Sequence, residues 1–122
     1  MDKVFLDTNF FVGLANRAPE PEASDIHKYQ AFISPLSCHI LFYINKIDVP
    51  DEKTKSYIND FNIVDFSSKV LERALEGPTK DLEDNIQLQS ANELDCDYFL
   101  TFDKKLLKLK FFGKVKIVKK LE

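Results

Sequence analysis

Lys3-Val4-Phe5-Leu6-Asp7-Thr8-Asn9 is the stretch on which the reading of this chain turns. A short apolar run stops at three residue types that cap helices rather than continue strands. Phe10, Phe11, Leu14 and Ala15 then recur at helical spacing. A strand that delivers an aspartate directly into a helix is how an α/β unit begins.

The same alternation continues outward from that start. Arg17-Ala18-Pro19-Glu20-Pro21 breaks the first helix, and residues 22–29 have room for a second, short one. Ala31-Phe32-Ile33 reads as a buried strand. Ser34-Pro35 then opens a helix with proline in its first turn, running through Leu41, Phe42 and Ile44. Asp51 caps a helix to about Asp60, Asn62-Ile63-Val64 is a brief strand, and Ser67 or Ser68 opens a helix toward Glu76 that Gly77-Pro78 ends. A further helix follows Asp81 and runs to about Leu94. Asp97-Tyr98-Phe99-Leu100-Thr101 is the fourth strand, and a short helix comes after Asp103. Lys114-Val115-Lys116-Ile117-Val118 is a last strand with period-two alternation. Strands alternating with helices predict a parallel, helix-covered α/β sheet. Without internal repeat or linker, residues 1–122 read as one domain.

Composition bounds the function classes. With 44% hydrophobic and 30% charged residues, the chain has the mixture of a soluble globular protein. No apolar run reaches the ~18–20 residues of a membrane span, so no membrane association is expected. Met1-Asp2-Lys3 enters a strand at once, which argues against a signal peptide. Cys38 and Cys96 form no CxxC or CxxH pattern and read as small core residues in a reducing compartment, so a cytoplasmic location is expected. The net charge of −3 gives no overall pull toward nucleic acid. Its distribution says more, because eight of the 17 basic residues crowd the last 19 positions: Lys104, Lys105, Lys108, Lys110, Lys114, Lys116, Lys119 and Lys120. They form either a local basic face for phosphates or a solvated helix face beside an edge strand protected by lysines.

The acids carry the chemistry. Asp7 ends the first strand and Asp103 the fourth, while Asp81 and Asp84 stand three apart on one face of a helix start. In an open parallel sheet the ligand crevice lies beyond the carboxyl ends of the strands, where strand order reverses. That arrangement would gather Asp7, Asp84 and Asp103. Carboxylates without thiolate or imidazole partners suit a hard, oxygen-seeking cation, Mg²⁺ or Mn²⁺. Taken singly, Asp7, Asp81 and Asp103 are equally good helix N-caps, and Asp84 lies near a capping-box position. Phe10 and Phe11 are base-stacking candidates, though helical spacing places such aromatics in the core. His39 reads first as a structural residue. No HExxH, glycine-rich phosphate loop or GxSxG is present, so zinc proteolysis, nucleotide hydrolysis and serine chemistry find no support.

Together Phe5-Leu6-Asp7-Thr8-Asn9, Ile33-Ser34-Pro35-Leu36-Ser37, Asp81-Leu82-Glu83-Asp84-Asn85 and Thr101-Phe102-Asp103 make the chain resemble the PIN-domain family, the fold of many VapC-type toxin nucleases. The resemblance spans nearly the whole chain. It implies a three-layer α/β/α sandwich with a central parallel sheet of about five strands, and metal-dependent endonucleolytic hydrolysis of RNA. It also implies catalytic and metal-ligand roles for Asp7, Asp84 and Asp103, supporting roles for Asn9, Ser34 and Thr101, and an antitoxin protein and a second copy of the chain as partners. Lys104 and Lys105 are the candidate contacts to RNA phosphates.

One departure stands out. Where PIN enzymes commonly carry a glutamate, this sequence has Ile40, which leaves Asp81 or Glu83 as the substitute ligand. The segment between the first two strands is also a few turns shorter than in typical members. The alternative reading is a catalytically impaired PIN-like module that binds RNA or a protein partner. Two other phosphoryl folds are disfavoured. A haloacid-dehalogenase-like phosphatase needs a second aspartate where Asn9 stands, and a receiver domain needs an acidic pair after the first strand.

Overall fold

The computed structural model describes residues 2–16 and 26–121. β1 (Lys3–Leu6) passes through Asp7 into α1 (Thr8–Asn16), and a 3₁₀ turn (Ile26–Lys28) precedes β2 (Gln30–Ile33). α2 (Pro35–Ile44), α3 (Glu52–Asn59), β3 (Asn62–Ile63), α4 (Ser68–Ala74) and α5 (Leu82–Glu93) follow. The chain continues with β4 (Tyr98–Leu100), α6 (Lys104–Leu107), β5 (Phe111–Phe112) and β6 (Val115–Val118).

The strand order is β3-β2-β1-β4-β6-β5, with β1 near the centre. β1 pairs in parallel with β2 on one side and β4 on the other, so the order of the chain reverses across β1 and β4. The strands are short and nearly continuous in apolar character, as befits a sheet covered on both faces. Their side chains alternate between two cores. Val4, Leu6, Ala31, Ile33 and Leu100 face α1 and α2. Phe5, Phe32, Phe99, Val115 and Ile117 face α5 and α6. Phe5 and Phe99, directly paired in register, stack with ring centroids 5.7 Å apart. Helices on both faces of the sheet complete a three-layer sandwich, as expected. α4 packs on the outside of α5 through Val70, Ala74 and Ile86.

The capping residues lie where the sequence places them. Ser34, Asp51, Ser67 and Asp81 each accept from a backbone N–H in the first turn of the helix they precede. For Ser67 the acceptor bond comes from Val70 N at 3.2 Å. Ser67→Ala is expected to cost ~1 kcal/mol, read as a lower denaturant midpoint with an unchanged slope.

Three details differ from the sequence reading. The sheet has six strands among the described residues rather than five, and the extra one, β5, runs antiparallel to β6. It is only Phe111-Phe112, too short to show alternation. Gly113 opens the two-residue turn into β6 at φ 61°, a backbone conformation glycine tolerates. The lysine-bearing last strand is consequently not the edge; it lies between β4 and β5. The short helix expected over residues 22–29 is, in its described part, the 3₁₀ turn Ile26–Lys28, and residues 22–25 lie outside the described residues, as do the helix-breaking residues 17–21.

Both cysteines are free thiols. Cys96 is buried in the core on the α5 side and burial pushes its pKa up to about 12, while Cys38 packs half-buried against the opposite core. Among the described residues no helix is long and apolar enough to cross a membrane.

Candidate functional site

Parallel register builds the site. Leu6 pairs with Leu100, so the next residues, Asp7 and Thr101, emerge side by side from the carboxyl ends of β1 and β4. Asp7 is 2% exposed. Its Oδ2 accepts from Thr101 Oγ1 at 2.7 Å and its Oδ1 from Thr8 N at 2.9 Å. Burial raises its pKa and these two hydrogen bonds pull it back, while Asp103 and Asp81 add repulsion. Thr101 Oγ1 also accepts from Asp103 N at 3.0 Å, so one buried hydroxyl ties the first acid to the backbone of the last.

The third contribution comes from the start of α5. Asp81 caps it, accepting from Asp84 N at 3.0 Å. A reciprocal capping box would return the Asp84 side chain to Asp81 N, but Thr79 Oγ1 accepts from that N–H at 3.1 Å instead. Among the described residues no hydrogen bond reaches the Asp84 carboxylate. Burial first, then repulsion from Asp81, Asp7, Asp103 and Glu83, pushes its pKa up to about 7. Every charge that moves it is negative. Glu83 is likewise raised, chiefly by burial and then by Asp7 and Asp81, and a hydrogen bond from Thr8 opposes the rise.

Asp7, Asp81, Glu83, Asp84 and Asp103 thus act on one another electrostatically at one edge of the sheet, across the point where strand order reverses. Asp81 and Asp103 do serve as helix caps, Asp103 accepting from Lys105 N at 2.8 Å. Capping and a place in the acidic group therefore coexist. A carboxylate has two oxygens with about four acceptor sites, and one cap uses one of them.

The remaining sequence candidates are distributed unevenly. Ser34 is fully buried but spends its hydroxyl on Leu36 N, at 3.1 Å, as the cap of α2. Asn9 is exposed in the first turn of α1 and makes no hydrogen bond to the acids among the described residues. Lys104 and Lys105 are exposed directly after Asp103. Ile40 is half-buried on α2 one turn beyond Ser37. His39 is exposed and, with Phe42 and Val49, lines a shallow groove on α2 that contains none of these acids. Phe11 is core, and Phe10 is buried beneath Phe102.

Sequence reasoning missed the buried polar residues that hold the acids. Thr8 N donates to Gln87 Oε1 at 2.7 Å as well as to Asp7, and Gln87 Nε2 reaches Glu83 Oε2 at 3.3 Å. Thr8 Oγ1 and Ser37 Oγ share a hydrogen bond of 2.8 Å that joins α1 to α2. Asn85 donates to Ala74 O and Thr79 O and accepts from Thr79 N, fastening the Asp81 turn to the body of α5. Asn85, Gln87 and Ser90 are all buried on α5, which the sequence does not mark.

The donor chemistry fits a hard divalent cation: oxygen ligands, crowded negative charge and a carboxyl whose neutral form is favoured without a counter-ion. As the side chains stand, no three acidic, histidine or cysteine groups among the described residues are close enough to hold an ion between them. What the structure shows at this edge is crowding of like charge, with burial and mutual repulsion raising Asp7, Glu83 and Asp84 together.

The chain belongs to the PIN domain family, whose sequence profile matches residues 4–112. PIN domains are in general metal-dependent nucleases. No curated protein sequence matches the chain. Among solved structures, it is similar to a toxin–antitoxin complex from Klebsiella pneumoniae, with TM-score 0.72 and 21% identity over 92% of this chain and 94% of that one. It is also similar to VapBC2 of Rickettsia felis bound to a promoter DNA fragment, with TM-score 0.68 and 17% identity over 95% and 97% of the two chains. For Mycobacterium tuberculosis VapC20, a toxin that cleaves the sarcin-ricin loop, the TM-score is 0.64 at 13% identity over 93% and 98%. These likenesses concern the fold.

Proposed function

We propose that the protein is a divalent-metal-dependent endoribonuclease and the toxin member of a toxin–antitoxin pair, with an antitoxin protein as partner and the cytoplasm as its place of action. The observation that carries this reading is that Asp7 and Asp103 are tied through the one Thr101 hydroxyl at the reversal point of a PIN sheet, with Asp84 at the nearby start of α5 repelled by both. The resemblance of the fold to toxin–antitoxin structures supports the partner.

Asp7, Asp84 and Asp103 would hold Mg²⁺ or Mn²⁺. Asp81 and Glu83 are the available replacements for the glutamate that Ile40 displaces. Asp81 already spends one oxygen on Asp84 N, whereas Glu83 is linked through Gln87 to the N–H of Thr8, the residue next to Asp7. A bound ion supplies Lewis-acid polarisation of the phosphodiester and a more acidic water. The chain's own residues do the rest. Thr101 and the Thr8 N–H fix both Asp7 oxygens, Gln87 steadies Glu83, and Lys104 and Lys105 offer exposed cations to the RNA backbone.

The second reading, a PIN module that binds without cutting, rests on Ile40. Cleavage of structured RNA measured across Mg²⁺ and Mn²⁺ concentrations, beside Asp7→Asn, separates the two. Metal-dependent cleavage that Asp7→Asn lacks is the expected result. Cleavage no greater than that of the variant at every metal concentration would overturn the nuclease.

A further inference from the structure

We infer that Lys119 is a further substrate-binding residue, whose ammonium holds an RNA phosphate neighbouring the one at the acids. The inference rests on the ribonuclease reading and adds a contact to that site.

The ladder of the sheet places it there. β1, β4 and β6 run parallel and in register, Leu6 pairing with Leu100 and Leu100 with Val118. The ladder then continues one residue past each strand end. Asp7 N donates to Leu100 O at 3.0 Å, and Thr101 N donates to Val118 O at 3.0 Å. Asp7, Thr101 and Lys119 therefore leave the carboxyl edge as successive members of one row: a carboxylate, a hydroxyl and an ammonium. Neighbouring strands lie about 4.8 Å apart, which sets the Lys119 backbone roughly 10 Å along that row from Asp7.

An exposed lysine on its own is ordinary. Lys119 differs in where it stands and in what it leaves unspent. Edge protection does not account for it, because β6 is flanked by β4 on one side and β5 on the other. Lys114 and Lys116 lie toward the opposite end of β6. Lys119 is exposed and, among the described residues, makes no ion pair, whereas Lys69 and Arg73 share Glu93. Every charge acting on Asp7 and Asp84 is acidic, so this ammonium is not used to neutralise them. Lys104 and Lys105 approach the same edge from the start of α6, directly after Asp103. A phosphate lying over the acids has a neighbour on each side along its strand, and cations arriving from β6 and α6 supply a partner to both. Lysine is a compact charge on a flexible stem, so the contact fixes the course of the backbone and reads no base.

The test uses the full chain and a synthetic RNA hairpin that it cuts. Each phosphate in turn is replaced by an uncharged methylphosphonate, and binding is measured with Ca²⁺ in place of Mg²⁺ or Mn²⁺. In the wild type, neutralising one phosphate beside the scissile bond is expected to weaken binding roughly ten-fold. Lys119→Gln should bind the unmodified hairpin roughly ten-fold more weakly and lose the penalty at that position alone. Its log–log salt slope should be shallower by about 0.7–0.9. Lys119→Arg should keep both the affinity and the penalty. A merely structural role would not tie the loss to a single phosphate. An unchanged set of penalties in Lys119→Gln overturns the inference and leaves the nuclease standing, as does a wild type with no sensitive phosphate beside the scissile bond. A wild type that neither binds nor cuts RNA removes the nuclease reading and this contact with it.

Discussion

Asp84→Asn is expected to raise the thermal stability of the metal-free protein at neutral pH while cutting metal-dependent RNA cleavage by more than ~100-fold. The Asp84 carboxyl is held at about 7 by burial and four neighbouring acids. A carboxyl raised above its unfolded-state value, about 4, binds its proton more tightly in the folded chain. Its stabilising contribution is fully present below that value and is lost as pH rises through about 7. Asp7 and Glu83 are raised as well and act in the same direction. In a chelator, the wild type should therefore melt at progressively lower temperature from pH 5 to pH 8, and Asp84→Asn should flatten that slope. Added Mg²⁺ should restore the wild type at pH 8 and release protons as it binds, but should do little for the variant. A chelated variant that melts below the wild type at pH 8 would show that repulsion is not what Asp84 contributes. A gain in stability paired with a loss of chemistry is the expected mark of a residue kept for function.

Thr101→Val tests the other half of the arrangement. The substitution keeps the shape of a fully buried side chain but removes the donor to Asp7 Oδ2 and the acceptor for Asp103 N. Leaving these groups unsatisfied should cost ~1–3 kcal/mol of stability. Burial already raises the Asp7 pKa, and the Thr101 bond is the strongest influence lowering it. Without that bond the carboxyl rises further, so a cation must displace a more tightly held proton. Cleavage should fall ~10–100-fold, and the acid limb of its pH profile should move to higher pH. Thr101→Ser restores the hydroxyl and should recover most of both. Indistinguishable pH profiles for the valine and serine variants would refute this role for the hydroxyl.

Much of the fold was legible because local rules write it. Asp51, Ser67 and Asp81 announce helix starts through side chains that satisfy first-turn N–H groups, and the structure uses each in that way. Lys3–Leu6 announces a strand by its run of apolar residues ending at Asp7. The position of the acids followed from the topology: in a parallel sheet, residues after β1 and β4 share an edge whatever their side chains do. Their roles were harder to read, because the same aspartate caps a helix and faces its neighbours, as Asp103 does. Gln87, Thr8 and Ser37 were illegible for another reason. Gln87 and Thr8 are 79 residues apart, and Thr8 and Ser37 are 29 apart. No local period marks a hydrogen bond made across helices. Ser34, chosen by resemblance, caps its own helix, while Ser37 one turn on makes the contact to Thr8.

The two-residue β5 has a consequence for how this protein coexists with its own copies. The outer rim of a sheet is a template on which another chain can add a strand, and long, flat, apolar rims invite aggregation. Here β6, with buried Val115 and Ile117, is shielded by Phe111-Phe112 folded back over the Gly113 turn. The rim that remains is too short to template a partner. Lys110, Lys114 and Lys116 around it are charged residues of the kind that blunt strand addition at an edge. A two-residue strand that contributes only Phe112 to the margin of the core thus gives the sheet a closed side, leaving its carboxyl end as the face open to a ligand.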